Sequence, residues 1–520
     1  MAERSFAEIA VLLRDNDNVA VLKRPVRIGD HIVNGSIELC ASQNIGAGHK
    51  IAVIEIADGA PVRRYGQIIG FAQGRIAAGA HVHTHNVVMK EFGRDYQFCA
   101  DARPVNLYAP HEMRYFQGFA RPDGNVGTRN YVAVISSVNC SASVSHYVRD
   151  RFRTEESKRD FPNVDGVIAF THKGGCAIDP REPQAILQRV LAGIAQHPNV
   201  SGYVMIGLGC ETNQIDAIRS SQKLDEPVAS GRSVAAPVFM NIQSVGGVRK
   251  TVEAGVSAVT KLLRAANDFK RTHQPISKLM LAENCGGSDG NSGITANPAL
   301  GVASDELVRY RGTSVLAETP EIYGAEHLLT RRAVSREVGE KLLEMVHWWE
   351  EHAARHNCSI NNNPSHGNKE GGLTNIYEKS LGAIAKGGQS PLSAVYKYAE
   401  RITTSGFCFM DTPGYDPVSM TGLVAGGCNV AVFTTGRGSV YGCKPTPCIK
   451  VSTNTPLYNW MEEDMDINAG TILDGTETVE QVGMRIFEKI IAVAGGQKTK
   501  SELAGIGDEE FAPWALGPTF

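Results

Sequence analysis

Between Tyr131 and Gly287 the chain repeats one pattern four times: a β-forming apolar run that ends on a cysteine among small and polar residues. The runs are YVAVISSVNC to Cys140, VDGVIAFTHKGGC to Cys176, SGYVMIGLGC to Cys210 and KLMLAENC to Cys285. Segments with helical periodicity follow, SVSHYVRDRF after Cys140 and PQAILQRVLAGI after Cys176. Strand, polar loop, helix, strand is the order of a parallel α/β sheet. Ligands of such sheets bind outside the carboxyl ends of the strands. A single cysteine there is more often a small buried hydrophobe. Four in the same position, two of them within GGC and CGG loops, point to a site and to an enzyme.

Length and charge narrow the class. A chain of 520 residues holds two or three domains. A net charge of −3 gives no electrostatic footprint for nucleic acid or an anionic membrane. No apolar stretch approaches the length of a membrane span, and MAERSFAEIAVLLRDND is charged too early for a signal peptide. The 11 cysteines include no CxxC pair, so they suit a reduced, cytoplasmic compartment rather than a disulfide framework or a zinc ribbon.

Four regions follow from the pattern. Residues 1–95 alternate apolar and polar positions in short runs such as HKIAVIEIA and read as a small all-β domain. Residues 96–118 lack a period and read as a linker. An α/β domain is expected over 119–305 and a second over 306–520.

Nucleotide chemistry is disfavoured. GLGCET places Thr212 where a dinucleotide fingerprint needs its third glycine, and no Gly-Lys dipeptide exists to build a phosphate loop. In HVHTH, a strand would put His81, His83 and His85 on one face, which suits Fe²⁺, Mn²⁺ or Zn²⁺ as well as it suits a solvated polar face. His352 and His356 lie four apart on a helical stretch without HExxH order and read as a solvated face. Glycine-rich loops present Lys369 and Lys379, Asp289, and Thr435 with Arg437 directly after a strand. Asp466 and Asn468 in DMDINAG add oxygen groups. Backbone amides with an arginine cradle carboxylates, so these loops describe a small, polyhydroxylated, anionic ligand.

Taken together these stretches resemble the altronate/galactarate dehydratase family. The motifs are RPDGNVGTRN (121–130), GLGCE (207–211), CGGSDGNSGITANP (285–298), NPSHGNKEGG (363–372), FTTGRG (433–438) and DMDINAG (464–470). They span almost the whole chain. The N-terminal region is similar to the SAF, or β-clip, module of that family, and its VHTHN looks more like the altronate branch. The resemblance implies a Rossmann-like parallel-sheet catalytic region of two subdomains behind the β domain. It also implies a hydro-lyase that converts a sugar acid to a 2-keto-3-deoxy acid. Related sulfolactate sulfo-lyase large subunits keep the leaving group open between water and sulfite.

A proton α to a carboxylate is very weakly acidic, so its removal calls for concentrated positive charge. The metal candidates are His83, His85, Cys176 and Cys210, with Cys285 also near the chemistry. Fe²⁺ comes first and Mn²⁺ second, and an iron–sulfur cluster on strand-end cysteines stays open as an alternative. His172, Lys369 and Cys285 are the catalytic candidates. Asp289, Lys379, Thr435, Arg437, Asp466 and Asn468 are the substrate-binding ones. The expected partners are the sugar acid and further copies of the chain in a homo-oligomer. A non-catalytic sugar-acid sensor is the remote alternative.

Overall fold

Two parallel sheets carry the catalytic region of the computed structural model, which describes residues 3–34, 37–224, 236–517 and 519. The first sheet has the order Gly166–Phe170, Tyr131–Ser136, Val200–Gly207, Val238–Asn241. Every residue of Tyr131–Ser136 and Val200–Gly207 is buried. Strands covered on both faces read as unbroken apolar runs, as these do. The helix Val248–Asn267 covers one face through Val259, Leu262 and Leu263. No described helix is long and apolar enough to cross a membrane.

The second sheet has seven strands: Leu392–Tyr396, Gly406–Met410, Thr313–Leu316, Met280–Cys285, Val430–Thr435, Cys448–Ser452 and Ile467–Asn468. Met280–Cys285 is its middle strand. The chain leaves it towards Thr313–Leu316 and the strands beyond, then returns to its other side with Val430–Thr435. That reversal is the topological switch point where open α/β sheets bind ligands.

The pairing moves one expected boundary. The sequence pattern groups Met280–Cys285 with residues 119–305, yet it bonds to Thr313–Leu316 and Val430–Thr435. The division between the α/β units therefore falls between Asn267 and Met280. KLMLAENC has the same composition as the three earlier runs, and only long-range pairing separates it from them. The stretch read as a linker also ends in structure: Tyr115–Ala120 pairs with Val126–Gly127 and Thr272–Pro275.

The two α/β units share one core. Leu191 and Ile194 of the helix Glu182–Ala195 meet Met420, Leu423 and Val424 of the helix Asp416–Gly426. A side chain at Gly193 would collide with the Ala425 carbonyl, so glycine sets how closely these helices cross. Burying each large apolar side chain there stabilises by roughly 1.5–3 kcal/mol. Arg129 adds a polar tie: it is buried, lies 2.6 Å from Glu502 and donates to the carbonyls of Val493 and Gln497.

The N-terminal β domain consists of small sheets, among them the antiparallel set Ala10–Val11, Val19–Leu22, Lys50–Ala52 and His81–Val82. It docks on the catalytic region through a buried ion cluster. Lys50 Nζ donates to Glu378 (2.9 Å) and to the Gly372 carbonyl (2.6 Å). Arg64 reaches the other Glu378 oxygen at 2.5 Å and the Gly290 carbonyl at 2.6 Å. Side chains at Gly290 or Gly372 would strike the Gly48 carbonyl, so glycines permit the close seam. Burial opposes ionisation of Glu378, but Lys50 and Arg64 outweigh it and hold the carboxyl down at about 2.

Removing one member of a buried ion cluster leaves uncompensated charge and costs about 3–5 kcal/mol. Glu378→Ala is therefore expected to open the seam. Hydrogen exchange of Lys50–Ala52 and Pro61–Arg64 should accelerate, and unchanged exchange would count against the cluster as the fastening. Because the folded carboxyl titrates below its ordinary value of 4.5, the contact is complete above that pH and is lost as pH falls towards 2.

Candidate functional site

Three strand ends converge at the switch point of the seven-stranded sheet. Cys285 is the last residue of Met280–Cys285. Glu318 and Glu321 follow the neighbouring strand Thr313–Leu316. Asp416 opens the helix that follows Gly406–Met410. Glu318 sits in the left-handed region at φ 72°, a conformation that costs a non-glycine residue of order 1 kcal/mol or more. Thr412 holds it there by accepting from the Glu318 amide at 2.9 Å. Such strain is typical of functional strand ends.

Two buried lysines close the group. Lys386 Nζ lies 2.9 Å from Cys285 Sγ and 3.1 Å from Glu318. Lys379 lies 2.6 Å from Glu321 and 2.7 Å from Asn363 Oδ1, and Asn363 donates to the same Glu321 oxygen at 2.8 Å. The thiol is 3.7 Å from Glu321 and 3.9 Å from Glu318. A cavity of about 380 Å³ opens beside them, lined by Gly286, Glu321, Asn363, Lys379 and Asp416 among others.

The charges do not balance. Cys285, Glu318, Glu321 and Asp416 bring four potential negative charges against the ammonium groups of Lys379 and Lys386. The surplus appears as retained protons. Burial pushes the Cys285 thiol up to about 12. Burial, with Glu321 second, raises Glu318 to about 8 and Asp416 to about 7. Burial opposes the charge on Lys386, but Cys285 and Glu318 keep its pKa raised.

The donor set fits a divalent metal. One sulfur and two carboxylates, from Cys285, Glu318 and Glu321, have atoms within 4.8 Å of one another, and all three residues are buried. Glu318 Oε1 is buried without a hydrogen-bond partner. A mixed thiolate–carboxylate set suits first-row transition metals.

The structure brings two predicted residues, Cys285 and Lys379, into this cluster. Others border it. Arg437 and Asp289 line a second cleft of about 900 Å³ between the β domain and the sheet edge. Arg437 lies 3.4 Å from Glu370. Asp289 is buried against Ser292 and Thr453. Thr435 Oγ1 accepts from the amides of Gly438 and Ser439 and shapes the loop. Asp466 accepts from the amides of Lys450 and Lys500, and Asn468 from that of Gly470. Neither lines the cavity beside Cys285.

Cys176, Cys210 and His172 belong to the other sheet. Both cysteines are exposed. His172 is buried with both ring nitrogens engaged, one on the Ser136 carbonyl (3.0 Å) and one on the Gly174 amide (3.2 Å).

HVHTH is not the continuous strand expected. It is strand at His81–Val82, then a turn in which Asn86 bonds back to the His81 carbonyl and the His83 amide. The rings of His81, His83 and His85 still gather, joined by His49. His49 lies 3.0 Å from His81 and 3.1 Å from the Glu370 carbonyl, and His83 lies 2.9 Å from the Lys369 carbonyl. Burial, with neighbouring charge, lowers His81 to about 3 and His83 to about 4, so both rings are neutral. His49 and His83 pin the end of the helix His366–Glu370 through its backbone. His352 is also engaged, on the Gly517 carbonyl.

Sequence reasoning missed Glu318, Glu321, Lys386 and Asp416 as a group. The two glutamates and Asp416 were findable by the rule that exposed Cys285, since all follow parallel strands. Lys386 carried only a weak signal, its spacing of two helical turns from Lys379.

Comparison with known proteins agrees along the chain. Residues 8–90 match the altronate/galactarate dehydratase SAF domain. Residues 118–267 match the second domain of D-galactarate dehydratase/altronate hydrolase, and 276–519 the D-galactarate/altronate dehydratase C-terminal domain. The chain is 38% identical to the galactarate dehydratase (L-threo-forming) of Escherichia coli, covering 94% of this chain and 93% of that protein. It is 33% identical to the altronate dehydratase of Bacillus subtilis, covering 95% and 96%. It is 29% identical to the (2R)-sulfolactate sulfo-lyase subunit beta of Chromohalobacter salexigens, covering 76% and 96%. With three domains matched in order and two relatives aligned almost end to end, the chain belongs to the altronate/galactarate dehydratase family.

Proposed function

We propose that this hydro-lyase dehydrates a sugar acid to a 2-keto-3-deoxy acid in the cavity beside Cys285, with a divalent metal held by Cys285, Glu318 and Glu321. The surplus of buried acid over buried base at the switch point carries the reading. When bound, the metal supplies Lewis acidity that stabilises the carboxylate-derived dianion. Fe²⁺ is preferred and Mn²⁺ comes second, because the set joins a soft sulfur to hard oxygens.

The chain's own groups do the rest. Lys379, fixed on Glu321 and Asn363, presents an ammonium to the cavity and holds a substrate carboxylate or hydroxyl. Asp416 is the group suited to proton transfer. Its carboxyl titrates near 7, so both forms are populated at neutral pH, the condition under which acid–base catalysis is most effective. This role replaces the one expected of His172, whose nitrogens are occupied. The sulfo-lyase reading changes only the leaving group, and the relatives aligned over nearly the whole chain are dehydratases.

The deciding experiment is an anaerobic screen of aldonates, aldarates and sulfolactate with Fe²⁺ or Mn²⁺. Formation of a 2-keto-3-deoxy acid from a sugar acid is expected. Sulfite release from sulfolactate alone, or full turnover by protein shown metal-free, would overturn the proposal.

Cys285→Ser is expected to lower both metal content and turnover, while Asp416→Asn lowers turnover by about 10²–10⁴ with metal content kept. Metal analysis beside steady-state kinetics separates the two roles. Loss of metal in both variants would remove Asp416 from proton transfer.

In the metal-free protein Glu318 and Asp416 hold protons that the unfolded chain has already lost, since their pKa values are raised. Metal-free stability should therefore fall as pH rises from about 5 to about 8. A divalent cation held by Glu318 displaces the proton of that carboxyl, so the melting-temperature gain on adding Mn²⁺ should be larger near pH 8 than near pH 6. Equal gains at both pH values would place the metal elsewhere.

A further inference from the structure

We propose that Cys140, Cys176 and Cys210 form a second metal centre: three thiolates that hold an iron–sulfur cluster on the carboxyl edge of the four-stranded sheet. This centre is separate from the cavity beside Cys285, whose lining includes none of these residues.

The three cysteines follow three neighbouring strands. Tyr131–Ser136 precedes Cys140 and is flanked by Gly166–Phe170 before Cys176 and Val200–Gly207 before Cys210. Adjacent strands lie about 4.8 Å apart, so their ends deliver the thiols to one short edge. All three are free and exposed, whereas Cys285, Cys408, Cys428, Cys443 and Cys448 are buried. Packing as a small hydrophobe, the ordinary use of cysteine, does not account for them.

The loops that carry them are fastened to one another by buried polar side chains. The Asn139 amide donates to the Gly174 carbonyl at 3.0 Å, which ties the Cys140 loop to the Cys176 loop. Asn213, fully buried, donates from its amide to the Gly175 carbonyl (3.0 Å) and from its side chain to the Ser137 carbonyl (2.9 Å). Glu211 gathers the amides of Leu208 and Gly209 and the hydroxyl of Ser137. His172 clamps the third side, donating to the Ser136 carbonyl and accepting from the Gly174 amide. Gly175 has φ 99°, and a side chain there would come within 2.6 Å of the Ser137 carbonyl, so only glycine allows this approach. Gln243 Nε2 donates to Cys210 Sγ at 3.3 Å, the kind of hydrogen bond that tunes cluster sulfurs.

A cluster fits better than a single ion. Among the described residues, only Cys285, Glu318 and Glu321 bring three donors within 4.8 Å of one another. The strand-end thiols are not part of any such close set, and the ligands of a cluster are spread around several metal atoms. Exposed thiols in loops tied to one another suit iron with inorganic sulfide.

The test uses the full chain, purified without oxygen, incubated with equal amounts of ferrous and ferric iron and with sulfide, and then desalted. Expected are a broad brown charge-transfer absorption and bound iron with acid-labile sulfide in similar amounts. Cys140→Ser, Cys176→Ser and Cys210→Ser should each lose most of the sulfide, while Cys40→Ser and Cys285→Ser keep it. Circular dichroism checks that each variant is folded. Failure of the parent protein to bind sulfide overturns the proposal. So does equal sulfide in the triple variant, or zinc or iron held by these cysteines without sulfide. Iron without sulfide that the triple variant keeps and Cys285→Ser loses reports the other centre, so the two proposals fail separately.

Discussion

Glu378 and Lys379 are consecutive residues of one buried helix, Ile376–Ala383, and each anchors a different buried charge cluster. Neighbours on a helix point about 100° apart. Glu378 therefore faces Lys50 and Arg64 of the β domain, while Lys379 faces Glu321 at the sheet edge. Fixing one constrains the other. A buried ion pair gains little net energy unless its geometry is held, and here the helix holds both. The β domain thus braces, through Glu378, the helix that keeps Lys379 beside the cavity.

The same economy runs through the glycine-rich loops. Residues 286–293 must pass between the Cys285 cavity and the SAF domain. Side chains at Gly286 and Gly290 would strike Asp416 and the Gly48 carbonyl respectively. The loop that positions the chemistry is also the loop on which the β domain rests. Asp289, inside it, spends its oxygens on Ser292, Asn291 and Thr453. It serves the second cleft through the loop's shape.

Much of this was legible in the chain. Unbroken apolar runs marked the parallel strands, and short alternating runs marked the β domain, because burial on two faces or one leaves a different pattern. The switch-point rule pointed to Cys285. What the runs could not reveal was partnership. KLMLAENC resembles the three runs before it, and only its bonds to Thr313–Leu316 and Val430–Thr435 assign Met280–Cys285 to the second sheet. The acids that complete its site arrive from strands that are neighbours in space but distant in sequence. The histidine turn was hidden for a related reason: Asn86 turns a chain that reads as strand, and it gathers the rings of His81, His83 and His85 around His49.

Cysteines at strand ends therefore say where chemistry can sit, and the neighbouring strands decide which chemistry it is. Beside Met280–Cys285, Thr313–Leu316 leads into two glutamates, and the closed surroundings make ionisation of the thiol costly unless a cation compensates it. Beside Tyr131–Ser136, the flanking strands lead into two further cysteines, and the edge faces solvent. The same local grammar thus supports a buried, acid-rich cluster on one sheet and an exposed thiol-rich edge on the other. The difference lies wholly in the residues that the parallel pairing brings alongside.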